Sequence, residues 1–257
     1  MKIRMKFAKY GRMAYIGHLD VMRYFQKALR RAGVDLKFTQ GFSPHPILSF
    51  AAPLGVGIES EGEYADLEVG SSGTTAEMIA RMNAVMVPGM RVLDWRRLPD
   101  QAKNAMASVC AADYCLFFRD PQEAARRLSQ SLPEAASDRP EDVFPVLSRM
   151  LMDFLQREDI PFEKQTEKTV RQMNLAALIY DWKIAEGPDP SLFLQVSTGS
   201  RDNVKPELVC QVFAQEAGLP WDENNLRIER LETYLNTAGE EEERKLLPMG
   251  EIGQVLV

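Results

Sequence analysis

Residues 11–64 read GRMAYIGHLDVMRYFQKALRRAGVDLKFTQGFSPHPILSFAAPLGVGIESEGEY, and this stretch organises the chain. Its first half spells a helix. Leu19, Met22, Phe25, Ala28, Leu29 and Ala32 recur at steps of three and four, which is one face of an amphipathic helix. Asp20 falls in the first turn, where a carboxylate suits the positive end of the helix dipole. Gly33 ends the run as a C′ residue. Arg23, Lys27, Arg30 and Arg31 fall on the outer face or near the C-terminal end. That face reads either as a solvated surface with cations at the negative helix end or as one that tracks phosphates.

The second half is a loop, Thr39-Gln-Gly-Phe-Ser-Pro-His-Pro, followed by an apolar run from Ile47 to Leu54. Pro44 and Pro46 lack amide hydrogens and push Ser43 and His45 out of helical conformation. Gly41 permits a backbone that other residues resist. Such a loop can present Gln40, Ser43 and His45 in fixed positions, and it can equally be a plain structural connection.

Working outward, Lys2 to Tyr10 alternates charged and apolar residues, which predicts a strand with one face buried and a row of cations on the other. Leu36–Thr39 and Ile47–Ala52 read as strands flanking the loop, and Glu63–Val69 as another. Ser71-Ser-Gly-Thr-Thr supplies an N-cap signal for a helix over Ala76–Val87, whose Met78, Ile79, Met82, Val85 and Met86 form a core face. Met90–Leu98 returns as a strand. The order β-α-β-β-α-β is that of a ferredoxin-like unit.

Asn104–Ser108 reads as a linker or a strand lead-in, and a second series follows. Its elements are a strand over Val109–Phe118, a helix from Pro121 to about Leu132, and an extra helix over Val143–Gln156. Glu163–Arg171 alternates charge with Thr and Val, and over Met173–Ile184 strand and short helix are hard to separate. Ser191–Val196 is a strand, a helix begins at Pro206 with Asn203 as its expected cap, and Leu226–Leu235 is the last strand. The expected fold is therefore α+β, with two tandem ferredoxin-like units over residues 1–103 and 104–237, an extra helix in the second, and a tail over 238–257.

The 257 residues carry a net charge of −6, but the distribution is uneven. Residues 1–60 hold ten Lys/Arg against three Asp/Glu, a net of +7, so the remainder carries −13. A basic lobe on an acidic chain points to a localised anionic partner. No apolar run approaches the roughly 20 residues that cross a bilayer, and the N-terminus has no signal-peptide core. Cys110, Cys115 and Cys210 form no metal-like or redox pair and suit a reducing cytosol. No metal site and no cofactor is expected, since two histidines and scattered thiols do not make a ligand set. Walker, GxSxG and dinucleotide fingerprints are absent.

Three residues are candidates for catalysis: His18, Asp20 and His45. His18 and Asp20 could pair for acid–base work, or Asp20 could cap amides while His18 bonds locally. A site shared by His18 and His45 requires the loop to fold over the start of the helix. Candidates for anion or RNA contact are Arg12, Arg23, Lys27, Arg30, Arg31, Gln40, Ser43 and His45. Ser200, Arg201 and Lys205 join them, because a Gly/Ser turn ahead of a helix N-terminus can receive a phosphate.

The segments GHLDVMRYFQKALRRAG and FTQGFSPHPILSFAAPLGVGIESEGEY resemble a bacterial family of unknown function, called radical SAM-linked or radical SAM-associated. Its members occur fused to, or encoded beside, B12-binding radical SAM proteins. The matching positions are His18, Asp20, Arg23, Arg30, Arg31, Gly41, Phe42, Pro44, His45, Pro46, Pro53, Leu54, Gly57, Ser60, Glu63 and Tyr64; TGSRDNVKPELV also looks like a family feature. This chain lacks the CxxxCxxC of a radical SAM enzyme, so it resembles the associated domain standing alone. The resemblance implies a radical SAM/B12-binding partner and, through neighbouring genes for RNA processing and ribosomal proteins, a connection to tRNA or rRNA. The leading expectation is a cytoplasmic accessory protein that binds RNA for that partner. The alternatives are a protein–protein docking module and a metal-independent endoribonuclease or other hydrolase using His18 and His45.

Overall fold

A computed structural model describes residues 1–165, 170–187, 189–199, 202–238 and 244–257. The chain runs β1 (Lys2–Lys9), α1 (His18–Arg31), β2 (Leu48–Phe50), β3 (Glu59–Glu68), α2 (Thr75–Asn83), β4 (Met90–Arg97), α3 (Ala105–Ser108) and β5 (Val109–Phe118). It continues with α4 (Pro121–Ser129), α5 (Pro140–Leu155), β6 (Pro161–Gln165), β7 (Val170–Asn174), β8 (Ile179–Ala185) and β9 (Ser191–Ser197). It ends with α6 (Pro206–Glu216), β10 (Leu226–Asn236), β11 (Leu246–Pro248) and β12 (Gln254–Val255). The fold is mixed α+β. The chain groups into two compact units, Met1–Ala112 with Thr198–Arg201 and Glu229–Val257, and Asp113–Ser197 with Asp202–Ile228. Among the described residues no helix is long and apolar enough to cross a membrane.

In the first unit β1 lies between β4 and β3, antiparallel to both, and β2 pairs antiparallel with β3, giving the order β4-β1-β3-β2. β10 joins β3 in parallel through Glu229 opposite Glu59 and Arg230 opposite Ser60. Ile3, Met5 and Phe7 of β1 face a core built with Val21, Phe25, Ala28 and Leu29 of α1, Met78 and Met82 of α2, and Trp95. The Met face of α2 is thus core. Both helix ends follow local rules. At the end of α1 the Gly33 amide bonds the Arg30 carbonyl and the Val34 amide the Leu29 carbonyl, with Gly33 at φ +64°. At the start of α2, Thr74 and Glu77 form a reciprocal capping box.

Several boundaries differ from the sequence expectation. Leu36–Thr39 forms isolated bridges, Leu36 to Val69 and Phe38 to Pro46, and the strand after the loop shrinks to β2. Pro44 and Pro46 remove the donors a longer ladder would need. Asn104 caps α3, where a linker or a strand lead-in was expected. Residues 246–257 are paired: β11 lies on β10, β12 lies on β4, and Met249 is fully buried.

The larger difference concerns the cations of β1. Arg4 and Lys9 are buried, at 1% and 2% exposure, and Lys6 is half-buried. Arg4 donates to both oxygens of Asp66, at 2.7 and 2.8 Å, and to the Met249 carbonyl. Lys6 donates to Glu232 at 2.7 Å. Lys9 donates to the carbonyls of Ala14 and Ile16, and burial lowers its pKa while the Glu63 carboxylate opposes the shift. Glu63 also accepts from Ser60 at 2.8 Å and from Arg230 at 2.9 Å. Burial pushes the Tyr64 phenol far above its ordinary value, reinforced by the Glu232 carboxylate. Charges this deep persist only when paired, so the expected open row of cations is an internal polar layer.

In the second unit the strand order is β10-β5-β9-β8, with β8 antiparallel to β9. α4 is capped by Asp120, α5 is the expected extra helix, and β6 and β7 form a separate antiparallel pair. The cap of α6 is Lys205, with no side-chain bond, where Asn203 was expected; Pro206 at the first helical position needs no amide partner.

Two stability predictions follow from the first unit. A Cβ on Gly62 would lie 2.5 Å from the Glu232 Cα and 2.7 Å from its nitrogen. Gly62→Ala must therefore part β3 from β10 and should lower unfolding free energy by about 2 kcal/mol or more. Gly17→Ala meets nothing within 4 Å and should cost only the penalty of alanine at the N-cap of α1, about 1 kcal/mol or less, in the same urea titration. Glu63→Gln leaves Arg230 and Lys9 without their buried counter-charge and should cost about 3–5 kcal/mol. Retention of parental stability by Glu63→Gln would contradict the pairing.

Candidate functional site

With the β1 cations internal, the exposed positive charge of the first sixty residues belongs to α1 and its surroundings. Arg12, Arg23, Lys27, Arg30, Arg31 and Lys37 are all exposed. They are not equivalent. Arg23 pairs at 3.4 Å with Asp20, with both side chains about two-thirds exposed. Arg31 donates to the Val85 carbonyl at 3.1 Å, which ties it to the chain after α2. Arg30 lies over the Phe38 ring, 6.0 Å from its centroid. Among the described residues Lys27 and Lys37 form no ion pair. Arg12 sits on the 3-10 turn Gly11–Tyr15, ahead of α1.

Residues 38–46 form a tight hairpin beside the C-terminal half of α1. Phe38 bridges Pro46, and the Thr39 amide bonds the His45 carbonyl at 2.9 Å. The His45 amide donates to Thr39 Oγ1 at 3.2 Å. His45 Nδ1 lies 3.2 Å from both Thr39 Oγ1 and the Ser43 carbonyl oxygen. A carbonyl only accepts, so this geometry assigns the proton to Nδ1 and leaves Nε2 of the neutral ring as an acceptor. Gly41, at φ +120°, makes the reversal. Gln40, Phe42, Ser43 and His45 are exposed, and Phe42 is wholly so, at 110% of its reference area. A loop tip ordered by its own hydrogen bonds thus carries an unpacked aromatic ring, an amide, a hydroxyl and an imidazole.

Among the described residues the three catalytic candidates form no hydrogen bond or ion pair with one another. His18 opens α1 and packs edge-on against Phe50, 5.3 Å between centroids. Asp20 turns to Arg23. His45 engages Thr39 and Ser43. Twelve helical residues, about 18 Å of axis, separate His18 from Arg30, the residue that meets the hairpin base. Ser200 and Arg201 lie outside the described residues. Lys205 lies in the second unit as the residue before α6 and is exposed; Glu207 occupies the first turn there, where a carboxylate disfavours an anion. Among the described residues no cluster of three or more His, Cys, Asp or Glu could hold a metal ion.

Sequence reasoning missed Phe38 and Phe42 as site residues and Thr39 as the group that orders His45. The available signal was the symmetry of Phe38-Thr39 and His45-Pro46 about Phe42, which is a hairpin pattern with a longer loop.

No curated protein matches the sequence. Among solved structures, one similar chain comes from the crystal structure of a Cbf5-Nop10-Gar1 complex, at 11% identity and a TM-score of 0.44. The match covers 90% of this chain and 48% of that one, so this chain spans about half the length of the matched chain. At that level the likeness carries no argument about function. A family model described as "Uncharacterized protein conserved in bacteria (DUF2344)" matches residues 2–206, about four-fifths of the sequence, and the chain belongs to that family.

Proposed function

We propose that this protein is an RNA-binding accessory factor whose first unit grips an unpaired stretch of RNA with the outer face of α1 and the 38–46 hairpin. The observation that supports it most is the wholly exposed Phe42 on a hairpin fixed by Thr39 and His45, next to Arg30 and Phe38. Unstacked bases pack on aromatic rings and on Arg planes, and Watson–Crick edges bond to amides, hydroxyls and imidazoles. Lys27, Arg30 and Lys37 would meet the phosphates. We read the strand orders β4-β1-β3-β2 and β10-β5-β9-β8 as two ferredoxin-like units. In keeping with the resemblance noted above, the RNA, a tRNA or rRNA, would be presented in the cytoplasm to a radical SAM/B12-binding partner enzyme.

A second reading, docking on a protein partner, draws on a separate feature. Tyr15, Leu19 and Val56 are each about 60% exposed near the start of α1, and exposed apolar groups of that size often mark contact surfaces. A hydrolase is favoured less, because it needs His18 and His45 in one site.

Fluorescence anisotropy with labelled tRNA and single-stranded rRNA fragments tests the first reading. Affinity should fall with salt, and Lys27→Ala and Arg30→Ala should each weaken binding and flatten the salt slope by about 0.7. No binding to either RNA at low salt would end the proposal. Phe42→Ala should weaken binding by about 1–3 kcal/mol through lost stacking while leaving the salt slope unchanged. An unchanged affinity would remove the hairpin from the interface.

A further inference from the structure

The second unit contains a cavity that the RNA-binding reading does not use. It has a volume of about 110 Å³ and lies among α4, α5, α6 and the strands β5, β8 and β9. Phe144 and Leu151 of α5, Phe213 of α6, Leu116 of β5 and Leu192 of β9 line it, all at most 9% exposed. Among the described residues no Asp, Glu, Lys, Arg or His side chain reaches it. Trp221, Leu147 and Ile184 also line it but are only half-buried, so the cavity opens on their side.

One polar side chain stands out in this lining. Ser148, in the middle of α5, is 5% exposed and lines the cavity. A serine hydroxyl inside a helix can bond a preceding carbonyl or turn to another partner. Ser191, Trp221 and Cys210 are the other lining residues with a polar side-chain atom; burial pushes the Cys210 thiol up to about 12, so it stays neutral.

We propose that this cavity is a binding site for a small, neutral aromatic molecule with one hydrogen-bonding group, its ring among Phe144, Phe213 and Trp221 and its polar group on the Ser148 hydroxyl. The aromatic lining suits a flat ring through edge and offset contacts. Apolar cavities of this order of size stay dry and accept ligands as small as benzene. A charged ligand would lose its hydration with no counter-charge to replace it.

Phenol and benzene are suitable probes, titrated into the full chain by calorimetry and thermal denaturation. Phenol should bind saturably and raise Tm, with benzene about tenfold weaker. Ser148→Ala should bring phenol down to the level of benzene. Ala214→Leu, which places three extra carbons at the cavity wall, should abolish binding of both. If that variant does not fold, Leu151→Ala serves instead; its enlarged cavity should take 2-naphthol more tightly than the parent does. The proposal is overturned if neither probe binds saturably, if the parent binds benzene and phenol equally, if Ala214→Leu folds and still binds phenol, or if Leu151→Ala gains nothing for 2-naphthol.

Discussion

The first unit depends on the pairing of the β1 cations with carboxylates from β3 and β10. Arg4 with Asp66 and Lys6 with Glu232 occupy the sheet face opposite the α1–α2 core, whereas Glu63, which pairs with Phe7 across the two strands, meets Arg230 and Lys9 on the side of Phe7. An isolated ammonium or guanidinium at this depth would be too costly to bury. The strand therefore imposes separate demands along its length: apolar volume at Ile3, Met5 and Phe7, and opposite charge against Arg4, Lys6 and Lys9. Gly62 belongs to the same constraint. It lets β3 approach the β10 backbone at Glu232, and its carbonyl accepts from the Thr233 hydroxyl at 2.7 Å.

This pairing changes what the charge asymmetry means. Counting residues suggests a strand and a helix that both offer cations to a partner. Half of that offer is internal, balanced by acids drawn from the acidic part of the sequence. What remains for a partner from the first sixty residues is Arg12 and a short set on α1 and beside the hairpin, Lys27, Arg30 and Lys37, with Arg23 and Arg31 already engaged. Alternation reveals that β1 is a strand, but period two says only that the faces differ, not that the charged face meets water. The residues that decide it lie 62 and 226 positions away, beyond the reach of any local pattern.

Features governed by a few neighbouring residues were legible. The end of α1 at Gly33, the N-cap signal of Ser71-Ser-Gly-Thr-Thr ahead of α2, the Met face of α2 and the extra helix α5 each follow from short-range geometry. Features governed by competition were not. Leu36–Thr39 has strand character, yet the prolines at 44 and 46 leave it with single bridges. Asn203 is the better cap by type, yet α6 starts at Pro206, so the cap position falls on Lys205, which makes no side-chain bond there. The candidate site divides the same way. Gly41, Pro44 and Pro46 announced a rigid loop around His45, while the contact of Arg30 with Phe38 needs the tertiary fold.

On the RNA-binding reading, the scarcity of free cations is itself informative. Non-specific binding to nucleic acid grows with the number of phosphates neutralised, and a chain of net charge −6 with about three unengaged cations on one face gains little from it. Affinity would then have to come from groups that recognise bases, and these need fixed geometry, because ordering a mobile loop on binding consumes free energy. The hairpin meets that requirement before any ligand arrives: Thr39 holds His45, and Gly41 sets the reversal that leaves Phe42 outside. The acidic excess elsewhere in the sequence repels phosphate and disfavours other modes of attachment. A weakly charged face with a preordered aromatic tip is therefore better suited to selecting an unpaired segment than to coating a duplex.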